Sequence, residues 1–165
     1  MRPRRILSLW FPRLASERWL RRLTCPGPFA VVARAGRGDH LHCLTAAAEA
    51  AGLARGMALA DARAVCPALV TRPADLAGEA AFLLRLARWA GRWSPLVGRE
   101  GADGLVLDVT GVAHLFGGEA GLMADAAAAA ERAGLTLRAG LGDTRGAAWA
   151  LARFASGRVA APGAP

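Results

Sequence analysis

Four small groups of residues in this chain have types that could do chemistry. The first lies in the stretch Arg4 to Leu20, RRILSLWFPRLASERWL, which reads as a strand running into a helix. In many α/β enzymes the end of such a strand carries the acids that hold a metal. Here Ser8, Leu9 and Trp10 take that place, and residues 4–14 contain neither Asp nor Glu. The second group is Cys43 with His40 and His42, all possible zinc donors. Two of the three alternate along one strand pattern, and a closed tetrahedral site would need a fourth ligand of suitable geometry. The third is GLGDTRG, Gly140 to Gly146, placed between a strand and a helix as a phosphate loop would be. It lacks the Gly-Lys-Ser/Thr ending that grips a triphosphate. The fourth is Asp103, which could be a lone metal ligand but reads better as a solvated turn residue. His114, before Leu115 and Phe116, reads as packing or capping. Trp10, Trp89, Trp93 and Trp149 read as core residues before base-stacking platforms, and Trp89 lies on an apolar helix face.

These groups must be positioned by elements whose order the sequence indicates. Residues 29–35 and 41–45 read as two strands joined by the turn Gly36 to Asp39, a hairpin. Two short helices follow, one stopped by Gly52 and one by Pro67, and then the brief strand ALVTRP. The clearest helix runs from Ala74 to Trp93, with Phe82, Leu83, Leu86, Trp89 and Ala90 at helical spacing and Asp75 and Glu79 near its start. Beyond it come strands at 96–100 and 104–110 joined by a short turn, a helix stopped by Gly134, a strand at 135–141 and a helix over TRGAAWALARFAS. The end, GRVAAPGAP, resembles a linker. Two strands joined by so short a turn are antiparallel, so the pattern predicts a mixed sheet rather than a doubly wound parallel one. Ala126 to Ala130 is ordinary helix, and no internal repeat is present.

Composition sets outer limits. A chain of 165 residues can bury a real core within one domain or one domain with a small insertion. Its formal net charge is +8, and all 21 of its basic residues are arginine. Guanidinium forks suit phosphates, so nucleic acid is a natural partner, although a codon bias toward Arg, Ala and Gly would leave the same trace. Three cysteines without a CxxC pair read as small buried hydrophobes in a reducing compartment. The basic MRPRR start suggests a leader, but Pro12 and Arg13 interrupt the apolar run, and no stretch reaches the length of a membrane span. The expectation is a soluble, cytoplasmic protein.

Three segments then carry a resemblance. GLARGMALADARAVCPALVTRPAD is similar to the fingers of Y-family DNA polymerases, RWSPLVGREGADGLVLDVTG to their palm strands, and AGLTLRAGLGDTRGAAWALARFAS to the next palm strand and helix. With the opening strand, the order holds from about residue 4 to residue 157. LWFPRLASERW, CLTAAAEAAGLARGM and DVTGVAHLFGGE look most like the catalytically silent branch of the family that acts in bacterial induced mutagenesis.

The resemblance implies an α+β fold: a split ferredoxin-like palm with a mixed β-sheet and an inserted small fingers subdomain. The palm would be discontinuous, residues 1–25 and 71–160, with fingers at 26–70 and a linker end at 161–165. The family's thumb and little finger have no counterpart in this sequence. Active members hold two magnesium ions on three carboxylates, because charge accumulates on the transferred phosphate. The first acid position falls at Ser8, Leu9 or Trp10. The paired acids fall on Asp103 and Gly104, so one carboxylate of three remains, too little for two magnesium ions. Asp108 sits at a position that is mostly structural in the family. The nucleotide-gripping Tyr-x-x-Arg falls on Ala46 and Glu49, and an anionic Glu49 would repel a triphosphate. The implied role is a non-catalytic adaptor in DNA damage tolerance, with no cofactor. Its implied partners are DNA and, through regions outside this chain, an error-prone replicative-type polymerase, the sliding clamp and a RecA-like accessory protein. Arg4, Arg5, Arg13, Arg138 and Arg145 are the candidate contacts for weak, sequence-independent DNA binding. Two other readings stay open. One is an active translesion polymerase using magnesium on displaced ligands, with Asp143 a conceivable donor. The other is an interaction module unrelated to DNA.

Overall fold

A computed structural model describes residues 3–163. The chain is α+β with two mixed sheets, and it divides into two units, residues 13–79 and residues 1–12 with 80–165.

The 13–79 unit is a three-stranded sheet between helices. β2 (Phe29–Ala35) and β3 (Gly38–Leu44) form the expected hairpin. Its loop is shorter than the sequence suggests: only Gly36 and Arg37 lie between the strands, and Gly36 takes φ 60°, the positive value a tight turn needs at its first position. β4 (Val70–Pro73) pairs parallel to β2. One sheet face packs Phe29, Val31 and Cys43 with Ala15, Trp19 and Leu20 on and around α1 (Leu14–Leu20). The other packs Ala30, Leu41 and Leu44 against Ala48 of α2 (Ala46–Ala50) and Ala62 of α3 (Leu59–Val65). Thr45 caps α2 by accepting the Ala48 N–H.

The other unit is built on a five-stranded sheet in the order β5-β6-β1-β7-β8. β1 (Ile6–Trp10) lies at its centre, antiparallel to β6 (Gly104–Asp108) and to β7 (Arg138–Gly142). β5 (Val97–Glu100) pairs antiparallel with β6 through the short turn the sequence indicates. The tail read as a linker instead contributes β8 (Arg158–Val159), parallel to β7, because the Gly157 and Ala160 N–H groups find the Ala139 and Leu141 carbonyls. Pro165, at the far end of that tail, lies outside the described residues.

Strand alternation gives this sheet two faces. One carries Leu7, Leu9, Leu105, Leu107 and Leu141, all fully buried, and is the apolar core side. Helix α4 (Leu76–Ala90) contributes buried Phe82, Leu83 and Leu86, and α5 (Glu119–Arg132) contributes Leu122, Ala126, Ala129 and Ala130. Trp93, just past α4, donates its indole N–H to Asp125 of α5 at 2.7 Å. The other face carries Ser8, Trp10, Glu100, Gly104 and Arg138, and here α6 (Arg145–Phe154) crosses β7 and β1. The crossing is close enough to require glycine: a Cβ at Gly140 would lie 2.5 Å from the Ala152 nitrogen.

Candidate functional site

The register of β1 with β6 and β7 assembles the site. Trp10 stands opposite Gly104 on one side and Arg138 on the other, and Ser8 stands opposite Val106 and Gly140. In the β5–β6 hairpin, Glu100 stands opposite Gly104. The alternation that sends Leu7 and Leu9 into the core therefore gathers Ser8, Trp10, Glu100 and Gly104 on the face beneath α6. Leu9 is thereby removed from the site.

At the first expected acid position no acid stands, and Ser8 and Trp10 there each have a partner. The Trp10 indole N–H donates to Asp103 Oδ2 at 3.0 Å, so the surviving carboxylate holds a ring where a cation would be expected. Ser8 is fully buried and donates its hydroxyl to Glu100 Oε2 at 2.7 Å. Glu100, only 6% exposed, also accepts from Arg145 Nε at 2.9 Å and has Arg153 Nη1 at 4.0 Å. Above Trp10 lie the guanidiniums of Arg138 and Arg153, 5.5 and 5.0 Å from the ring centre. Three guanidiniums thus surround two carboxylates, and the local charge is positive where a two-metal centre would be negative.

Gly104 is more than a missing acid. A Cβ built there would sit 2.6 Å from the Glu100 carbonyl oxygen, a backbone atom that cannot turn aside. The strand lies too close to its partner for any side chain at this position. Among the described residues no group of three His, Cys, Asp or Glu side chains could hold a metal ion. The donors present do not suit two magnesium ions: two carboxylates, Asp103 bound to an indole and Glu100 to Ser8 and Arg145, among arginines.

Ala46 and Glu49, where the resemblance led nucleotide contacts to be expected, lie in α2. Ala46 opens the helix and offers only a methyl group, and Glu49 accepts from Arg13 Nη2 at 2.5 Å. Glu49 thus takes up a guanidinium from α1's N-terminal flank.

The five candidate arginines have different fates. Arg5 is buried, 6% exposed, and donates from Nε and Nη2 to both carboxylate oxygens of Glu119, at 2.6 and 2.8 Å. It also donates to Asp143 and to the Ala160 carbonyl. Those bonds, led by Glu119, hold its guanidinium above its ordinary pKa. A phosphate would have to displace two carboxylates to reach it, so Arg5 is a structural residue. Arg4 is well exposed and pairs with Asp108 at 3.0 Å. The Asp108 carboxyl is held below its usual range by Thr110, side chain first and then backbone N–H, and by Arg4. Asp143 is taken up by the Gly163 N–H and by Arg5, which depress its pKa in that order. Arg145 keeps most of its surface exposed while bonding Glu100.

Glu100 and Arg153 escape the sequence reading. The hairpin register carries a signal for the first, since a three-residue loop at 101–103 places Glu100 directly across from Gly104. Helical spacing carries one for the second, since Arg153 lies two turns beyond Arg145 on the same side of α6. Trp149, read as core, is 39% exposed.

Comparisons with known proteins place this geometry in context. The model of the impB/mucB/samB family matches residues 17–153. Protein ImuB from two strains of Caulobacter vibrioides, NA1000 / CB15N and ATCC 19089 / CIP 103742 / CB 15, is 48% identical over 111 residues, which is 67% of this chain and 24% of each relative. The chain therefore spans about a quarter of the length of these relatives. Among solved structures, an insertion ternary complex of Dbh DNA polymerase superposes with a TM-score of 0.79 at 18% identity, covering 96% of this chain and 49% of that one. DinB from Sulfolobus solfataricus superposes with a TM-score of 0.72 at 17% identity, covering 94% and 47%. The fold is thus that of Y-family polymerases, and by the family model that matches residues 17–153 the chain belongs to the impB/mucB/samB family.

Proposed function

We propose that this chain is the palm-and-fingers part of a polymerase-like protein that serves DNA damage tolerance without catalysing synthesis. One observation carries the reading: the metal seat is built shut. Trp10 hydrogen-bonds Asp103, and the backbone leaves no room for a side chain at residue 104. Phosphoryl transfer in this scaffold would need carboxylates that gather metal ions at the reacting phosphate. Here guanidiniums gather instead, and Glu49, engaged with Arg13, offers a nucleotide triphosphate no cation. What remains is a scaffold suited to lie on DNA and position other proteins. Weak, sequence-independent contact would come from Arg4, Arg13, Arg138 and Arg145, set by phosphate charge rather than base identity. The error-prone polymerase, sliding clamp and RecA-like partner would be met through segments outside this chain. A cytoplasmic, nucleoid-associated location follows from that role. No helix among the described residues is long and apolar enough to cross a membrane.

The test is primer extension by the protein carrying this chain, with magnesium and with manganese, beside binding to the same primer–template across a salt series. Binding with a steep salt slope and no incorporation is the expected result. Template-directed incorporation abolished by Asp103→Ala would overturn it. The rival view, an active enzyme using Asp143 as a displaced ligand, predicts incorporation lost in Asp143→Asn.

A further inference from the structure

The cations around Trp10 continue outward into a ladder that the vacated metal site does not explain. Arg138 lies over Trp10, Arg153 lies over both Trp10 and Trp149, the latter at 4.5 Å, and Trp149 meets Phe154 edge to face at 6.0 Å. The inner members are partly buried. The outer two are not: Trp149 is 39% exposed and Phe154 is 79% exposed, on one helix of ten residues. Two adjacent rings left in water are an unfavourable arrangement unless something covers them. The charge around them limits what that can be. Helix α6 carries Arg145 and Arg153 and no acid, and Arg158 follows in exposed β8. Arg153 lies beneath the rings, 14% exposed, with its Nη1 buried 4.0 Å from Glu100.

We infer that Trp149 and Phe154 form a stacking platform for single-stranded DNA, with exposed Arg158 meeting its phosphates and Arg153 holding the Trp149 ring from beneath. Unpaired bases suit the site because every base offers a flat face to an exposed ring, and the backbone brings the negative charge the rings' neighbours lack. A duplex would not use the rings, since its bases are already stacked on each other. The platform rests on the reading of this chain as a DNA-contacting scaffold, and it adds the kind of DNA held and the residues that hold it.

The experiment measures binding of oligothymidylate, by quenching of tryptophan emission and by anisotropy of a labelled strand, beside binding of a blunt duplex. The proteins are the unaltered chain, Trp149→Ala, Phe154→Ala and Trp149→Phe. Both rings are exposed, so circular dichroism should report native folds throughout. The platform predicts quenching on binding, about tenfold weaker oligothymidylate binding for each alanine variant, near-normal binding by Trp149→Phe, and duplex binding unchanged in all. Alanine variants that bind oligothymidylate as the unaltered chain does, while duplex binding persists, would overturn the platform and leave the DNA reading intact. Loss of binding to both DNA forms by the unaltered chain would overturn both. A concentration-dependent dimer abolished by Trp149→Ala would assign the rings to a second copy and overturn the platform.

Discussion

Restoring the acid at residue 104 should destabilise the protein rather than reactivate it, and the size of the effect follows from one distance. A Cβ at Gly104 would stand 2.6 Å from the Glu100 carbonyl oxygen, well inside the 3.4 Å of ordinary contact. Glu100 and Gly104 face each other across the β5–β6 pair, so relief requires the hairpin itself to shift. Forcing extra volume into a packed site costs about 1–3 kcal/mol. Replacing glycine restricts the unfolded chain and returns about 0.4–1 kcal/mol of that. The net expectation is a loss of up to about 2.6 kcal/mol, which at this chain length lowers Tm by up to about 10 °C. Gly104→Ala and Gly104→Glu should lose similar amounts, because the Cβ alone makes the clash. Calorimetry of both variants, and primer extension by Trp10→Asp/Gly104→Glu, would check this. A Gly104→Glu protein melting at or above the unaltered temperature would refute the steric argument. Extension by the double variant would refute the wider one.

Two further outcomes follow from the same site and its surroundings. Glu100→Gln keeps an acceptor for Ser8 but removes the charge beside Arg145 and the half-buried Arg153, and should cost about 1–3 kcal/mol in urea unfolding; an unchanged midpoint would make the network decorative. Asp75, Asp108 and Asp143 all titrate below their usual range in the folded chain. Their contribution is therefore fully present above about pH 3.9, the unfolded value, and is lost as pH falls through the folded ones. Asp108→Asn should make the acid limb of the stability curve shallower and leave the neutral region's slope alone; an unaltered acid limb would count against it.

The sheet was legible because its side chains alternate. Leu7 and Leu9 point inward and Ser8 and Trp10 outward, and the short turn after Glu100 forces β5 and β6 to be antiparallel. β8 was hidden because Arg158 and Val159 bring no pattern of their own; they pair only because β7 leaves an open edge for them. That Ser8, Trp10 and Gly104 bring no carboxylate and Glu49 no cation could be read from residue type alone. Their refilling could not, since Ser8 and Glu100 lie 92 residues apart in sequence. The burial of Arg5 was hidden for a similar reason: nothing near it in sequence announces that Glu119 and Asp143 will converge on its guanidinium. Trp149 misled in the other direction. Its helix is rich in alanine, and an alanine-rich helix can turn a tryptophan to solvent without any change in its local pattern.

A site that had merely lost its ligands would keep a memory of the metal, as an electronegative pocket still able to attract one. This one should be indifferent. Ser8, Trp10 and Asp103 each have a protein partner already, and three arginines raise the local potential against a divalent cation. Binding to the folded state alone stabilises a protein in proportion to the logarithm of ligand over Kd, so magnesium at one hundred times its Kd would add about 2.7 kcal/mol. That is a rise in Tm of about 5 °C or more for a chain of this size. The geometry predicts no rise at all: melting curves in millimolar magnesium, in manganese and in EDTA should coincide. A metal-dependent rise that Asp103→Asn removes would mean that the carboxylate still reaches a cation past the Trp10 indole, and the seat would then be open after all.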